Sequence, residues 1–258
     1  MLILIVKLLL VPSLLATVTL VARRWGSNVA GWLGSFPIVA GPVLLVVTLE
    51  QGAAFGARAA GAAVAGIAPT MLFVVLYAYL SARFRWWQSV LMGYLGWGIA
   101  VALLTRAPAG LGVSAAIGGT GLALAMALVR TPPGLPLPQK PNRLELPARM
   151  LVGVLLIFVT SALAAAFGPR LAGYAAIFPL VASIVASFSH ALHGRDSAVR
   201  FLAGMCRGMW SVAAFALALA LLLPRIGLIP AFLDSFAATA VLHLALRPRS
   251  PPAAAAPR

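Results

Sequence analysis

Acidic residues are scarce in this chain of 258 residues: four Asp and Glu stand against nineteen Lys and Arg. Charged residues of both signs make up only 9% of it, where a soluble domain carries about 25%. Water cannot solvate most of such a surface, which excludes a soluble enzyme, a soluble nucleic-acid-binding domain and a disordered chain. The single cysteine, Cys206, excludes an intramolecular disulfide and a metal site built on cysteine pairs. Among its apolar neighbours it reads as a small packing residue. The sequence has no P-loop, no dinucleotide fingerprint, no H-E-x-x-H and no Ser with a plausible His and Asp partner set. Nothing argues for an enzyme, and neither a cofactor nor a bound metal is expected.

What the chain has is apolar: 62% of it is hydrophobic and its mean hydropathy is +1.04. The net charge is +15, but the arginines sit at the ends of apolar runs and form no basic face, so nucleic acid is not an expected partner. Crossing a bilayer takes about 20 apolar residues as a helix. Nine stretches meet that length: 1–22, 28–49, 58–80, 86–105, 110–130, 148–167, 171–191, 199–222 and 226–246. Lys7 interrupts the first run and Arg23-Arg24 follow it, which predicts a retained helix rather than a signal peptide. With the longest loop placed in the cytoplasm, thirteen cations fall inside and Arg58, Arg106, Arg170 and Arg225 outside. The expected topology has the N-terminus out and the C-terminus in. Residues 131–147 read as a Pro-rich cytoplasmic linker and 248–258 as a disordered basic tail.

An internal repeat organises the spans. Shifted by 142 residues, GSNVAGWLGSFPIVAG at 26–41 lies over GPRLAGYAAIFPLVAS at 168–183. Over residues 26–80 the two halves share 14 of 55 positions. The expected units are residues 1–105 and 148–247, four helices each, with residues 106–130 as a linking helix. Five helices separate equivalent points, so the second unit should be inverted relative to the first. Inverted repeats are the usual architecture of secondary transporters.

Ala172-Gly173, Phe178-Pro179, Gly194, Arg200 and Met209-Trp210-Ser211 give the second unit a further character. On these residues, about 100 residues of unit 2 resemble the GlpM family of small four-helix bacterial inner-membrane proteins. Unit 1 carries Ala30-Gly31, Phe36-Pro37, Gly52 and Arg58 at the same spacing, but has Ile67-Ala68-Pro69 where the family has Met-Trp-Ser. The resemblance implies two fused four-helix units in a bacterial inner membrane.

Ionisable groups inside apolar runs are functional candidates by default. Asp234 lies about eight residues into the last run, roughly 12 Å deep. It pairs with Lys7 or Arg207 in a buried ion pair, or serves as a proton or cation site. Its repeat equivalent is Met92, so such a site would be asymmetric. Glu50 ends the second run as a solvated helix-end charge or a coupling carboxylate. His190 and His193 share a helical face with Asp196 just beyond; they and His243 read as ordinary interfacial histidines. Pro37 and Pro179 sit mid-run, where each should free a carbonyl, that of Leu33 or Ala175. Pro42 and Pro69 predict further breaks. Interrupted helices at matching positions of inverted halves point to a midplane substrate site. The expected path is Trp32, Phe36, Pro37, Tyr174, Phe178 and Pro179, with Arg58, Arg200 and Glu50 as gate candidates. The fold class is all-α, polytopic, with about nine spans. The expected function is alternating-access transport of a small solute, proton-coupled where Asp234 serves as the proton site, with an accessory inner-membrane protein as the alternative. The candidate partners are the lipid bilayer, that solute and a second copy of the chain.

Overall fold

The computed structural model describes residues 2–37, 39–108, 110–133, 144–166 and 168–247, and of residues 2–11 and 157–166 the backbone alone. These residues form eleven helices and no strand: α1 Leu2–Trp25, α2 Ser27–Gly34, α3 Ala40–Gln51, α4 Ala53–Leu80, α5 Trp86–Leu104, α6 Leu111–Leu128, α7 Glu145–Ala166, α8 Pro169–Ala176, α9 Leu180–His193, α10 Arg195–Ile226 and α11 Leu228–Ala245. Hydrocarbon cannot satisfy backbone groups, so runs this apolar must satisfy their own as helices. Among the described residues, six segments are long and apolar enough to cross a membrane: α4, α5, α6, Pro169–His193, α10 and α11. The chain is a helical membrane protein with several spans.

The runs over 28–49 and 171–191 are each two helices. Pro37 and Pro179 have no N–H to continue the ladder. The carbonyls expected to be freed are taken up by tight turns: Phe36 N–H donates to Leu33 O at 3.1 Å, and Phe178 N–H to Ala175 O at 3.1 Å. Each helix restarts on its proline's own carbonyl, which accepts from Gly41 N–H in one case and Ser183 N–H in the other, both at 2.9 Å. Pro42 makes no second break, because it falls in the first turn of α3, where a missing N–H costs little. Pro69 does not break α4 either, which runs on through it for eleven more residues. Gly52 (φ 86°) and Gly194 (φ 84°) make the sharp turns from α3 to α4 and from α9 to α10. A side chain at either would be strained.

The long helices α4 and α10 pack against each other in the centre. Half-helix α2 lies on α10, and α8 lies on α4, so each half inserts a short helix into the other. Only glycine permits the approach. A β-carbon on Gly31 would meet the Phe201 carbonyl and Met205 N; one on Gly173 would meet the Ala59 carbonyl and Ala63 N. Those two contact sets differ by 142 residues at every position. Helix α6 lies across α4 and α10, α5 packs on α4, α11 on α10, and α1 on α7. The rim is apolar outward, with Leu91, Leu95, Ile99, Leu103, Ile229, Leu233 and Val241 exposed to where lipid would lie. Residues 134–143 and 248–258 lie outside the described residues. The part of the expected linker from Glu145 onward is instead the first turn of α7.

Candidate functional site

The two Phe-Pro breaks face one another across the centre of the bundle. Phe36, Pro37, Phe178 and Pro179 line one cavity of about 60 Å³, together with Thr70 of α4 and Met205, Met209 and Val212 of α10. Thr70 Oγ1 donates to Ile177 O at 2.6 Å, holding a carbonyl of the second break. Each phenylalanine is clamped at the end of a row of three rings, the other two from the opposite half. Phe36 meets Phe236 (6.3 Å), which meets Phe215 (4.7 Å); Phe178 meets Tyr94 (5.3 Å), which meets Phe73 (5.2 Å). These rows are again related by 142 residues throughout. Beside them, Gly41 packs on the Phe236 ring, where its equivalent Ser183 accepts a hydrogen bond from Tyr94 Oη at 2.6 Å.

Trp32 and Tyr174, also expected on the path, do not line this central cavity. Both are buried, and each ties its half-helix to the end of an opposite-half helix. Trp32 Nε1 donates to His243 O at 3.1 Å and stacks on that imidazole at 4.3 Å. Tyr174 Oη reaches Leu104 O at 3.5 Å. His243 is buried between Trp32, Phe36 and Ser211, whose Oγ lies 3.0 Å from Nδ1.

The gate arginines occupy unlike surroundings. Arg58 is exposed on a cavity of about 730 Å³ framed by α4, the end of α5, the start of α6 and the start of α8. Arg170 lines it too, its guanidinium donating to the carbonyls of Thr105 (3.0 Å), Leu104 (3.2 Å) and Ala107 (2.6 Å). Tyr174 lies on its wall. At the opposite end of the bundle the described chain leaving α6 lies over the equivalent place. Arg200 is buried and donates to Pro133 O at 2.8 Å; Asn28, the equivalent of Arg170, donates to Thr131 Oγ1 at 3.2 Å. The Ser27 and Ser197 hydroxyls bond at 3.0 Å, and Gly204 packs on the Asn28 backbone. The chain leaving α6 thus covers this end. Glu50 is exposed at the end of α3 and lines neither cavity.

The expected buried pair of Asp234 with Arg207 is corrected. Both side chains are exposed, on the outward faces of α11 and α10, and Asp234 pairs with no described cation. Depth along a run was legible, but the face of the helix depends on neighbours far away in sequence. The side chain of Lys7 lies outside the described residues.

The buried ion pairs are elsewhere. Glu145 sits between Arg149 (2.7 Å) and Arg23 (2.9 Å), with Glu145 and Arg149 both almost fully buried. Arg149 also donates to Thr19 Oγ1 at 2.8 Å and Ser189 Oγ at 3.3 Å, and its guanidinium lies over the Phe188 ring. This cluster binds α1, α7 and α9 at the closed end. His190 Nδ1 lies 3.3 Å from Tyr77 Oη, and Arg195 reaches Ala78 O at the same end. Among the described residues no three His, Cys, Asp or Glu side chains gather to hold a metal ion. Cys206 is buried in the core. No protein-family model, no characterised protein and no solved structure matches this chain.

Proposed function

We propose that this protein is a small-solute transporter of the inner membrane working by alternating access. In this reading it crosses the bilayer nine times, its halves are inverted four-helix units joined through α6, and its N-terminus is outside. The resemblance to GlpM-like units belongs to the same proposal. The carrying observation is that two equivalent ends of one bundle are in different states. Around Arg58 and Arg170 a cavity of about 730 Å³ is open, whereas around Arg200 and Asn28 the chain packs shut. Two halves with the same contacts can exchange these states at little net cost, which is what alternating access requires. The second reading, an accessory protein, draws on the seam itself: the central cavity of about 60 Å³ has mostly apolar walls.

Paired cysteines separate the readings. Gly61 lines the open cavity and its equivalent, Ala203, is buried at the closed end. In a Cys206→Ala background, Gly61→Cys should react with an impermeant thiol reagent from outside, and Ala203→Cys should resist it from inside. Adding Arg200→Ala releases the hold on Pro133 and should raise labelling at Ala203 while lowering it at Gly61. A rise at Ala203 with no fall at Gly61 would sink alternating access and leave the accessory reading.

A further inference from the structure

The open cavity has a chemical signature of its own. Two guanidinium groups line it and no carboxylate does. Arg170 is fixed by three backbone carbonyls, which orient its charge without neutralising it. Arg58 makes no hydrogen bond or ion pair with any described residue. The hydroxyl of Ser114, on the wall formed by α6, is likewise uncommitted. The hydroxyls of Thr105 and Tyr174, also on the wall, are taken up by the carbonyls of Ala102 and Leu104. Most of the remaining wall is small or apolar: Ala57, Gly61 and Ala65 form a smooth stripe along α4, opposed by Leu111 and Ile117 of α6. The volume falls within the range of sites that enclose a small organic molecule. A cation would meet two like charges here. A bare inorganic anion would leave most of the wall uncovered.

We propose that this cavity binds an organic anion with an apolar body, a carboxylate or phosphate head held by Arg58 and Ser114 in the field of Arg170. The body lies along the alanine-glycine stripe of α4. As a substrate class this rests on the transporter reading, but the binding site stands or falls separately. A charge-assisted bond to the head supplies selectivity, and apolar contact supplies the rest. The same chemistry is offered by an anionic lipid entering from the bilayer and by a soluble amphipathic acid.

Equilibrium dialysis of radiolabelled octanoate against the protein in phosphatidylcholine nanodiscs tests this. Saturable binding near one octanoate per chain is expected, weakened roughly tenfold by Arg58→Gln and restored by Arg58→Lys. Arg58 is exposed, so neither change threatens folding. Octylamine should not compete. Loss of octanoate binding when phosphatidylglycerol is added to the disc supports the anion site and names lipid as the occupant; undiminished binding supports it and names a soluble acid. Equal affinity in Arg58→Gln, or competition by octylamine as strong as by octanoate, overturns the proposal. Octanoate bound but never carried into vesicles keeps the site and removes the transporter reading.

Discussion

Glu145 is the residue on which the closed end hangs. A carboxylate taken out of water is stable only if its charge is matched, and here two arginines from different helices match it. Removing one partner of such a cluster strands the others, at a cost of about 3–5 kcal/mol. Glu145→Ala should therefore lower the thermal melting midpoint markedly, and Asp234→Asn, on an exposed face, should leave it unchanged; nanodifferential scanning fluorimetry on purified protein checks both. The sequence invites the opposite ranking. Asp234 sits deep in an apolar run and draws the eye, whereas Glu145 follows a Pro-rich stretch and reads as solvated. Nothing local says that Arg23, some 120 positions earlier, folds back over it.

The half-helices are the elements that distinguish this bundle. Their breaks were legible, because proline at matching positions of two halves removes the same ladder bond whatever surrounds it. The continuity of α4 through Pro69 was not, since a proline kink or break depends on what packs alongside. The ring rows were illegible for a related reason: Phe36 and Phe236 are 200 positions apart, and only the fold reveals them as partners. Since Phe36 and Phe178 hold equivalent places, Phe36→Ala and Phe178→Ala should destabilise by similar amounts, about 3 kcal/mol or more each. Urea titration of the reconstituted protein measures this. Cysteines at Phe36 and Phe236, oxidised together in a Cys206→Ala background, should hold the break between α2 and α3 against α11 and stop labelling at Ala203→Cys from changing with Arg200→Ala.

At the scale of the whole molecule, the arrangement ties topology to packing. Gly52 joins α3 to the start of α4, the end that carries the cavity residues Ala57 and Arg58, and Gly194 ends α9 near Ala78, at the far end of α4. Compartment-specific reporters fused after Gly52 and after Gly194 should therefore report opposite sides, outside and inside respectively. A shared side would remove the inverted repeat and the transporter reading with it. Cross-insertion of α2 into α10 and α8 into α4 has one more consequence, which concerns time. Gly31 is made about 170 residues before the Phe201 carbonyl it packs against, so at ordinary elongation rates α2 waits roughly ten to thirty seconds for its partner. During that interval the first half lies in the bilayer with its glycine face bare and its Phe36 unclamped. Biogenesis of this chain is therefore paced by the ribosome: the first half must remain uncommitted until the second arrives, and the bundle closes only when synthesis is nearly done.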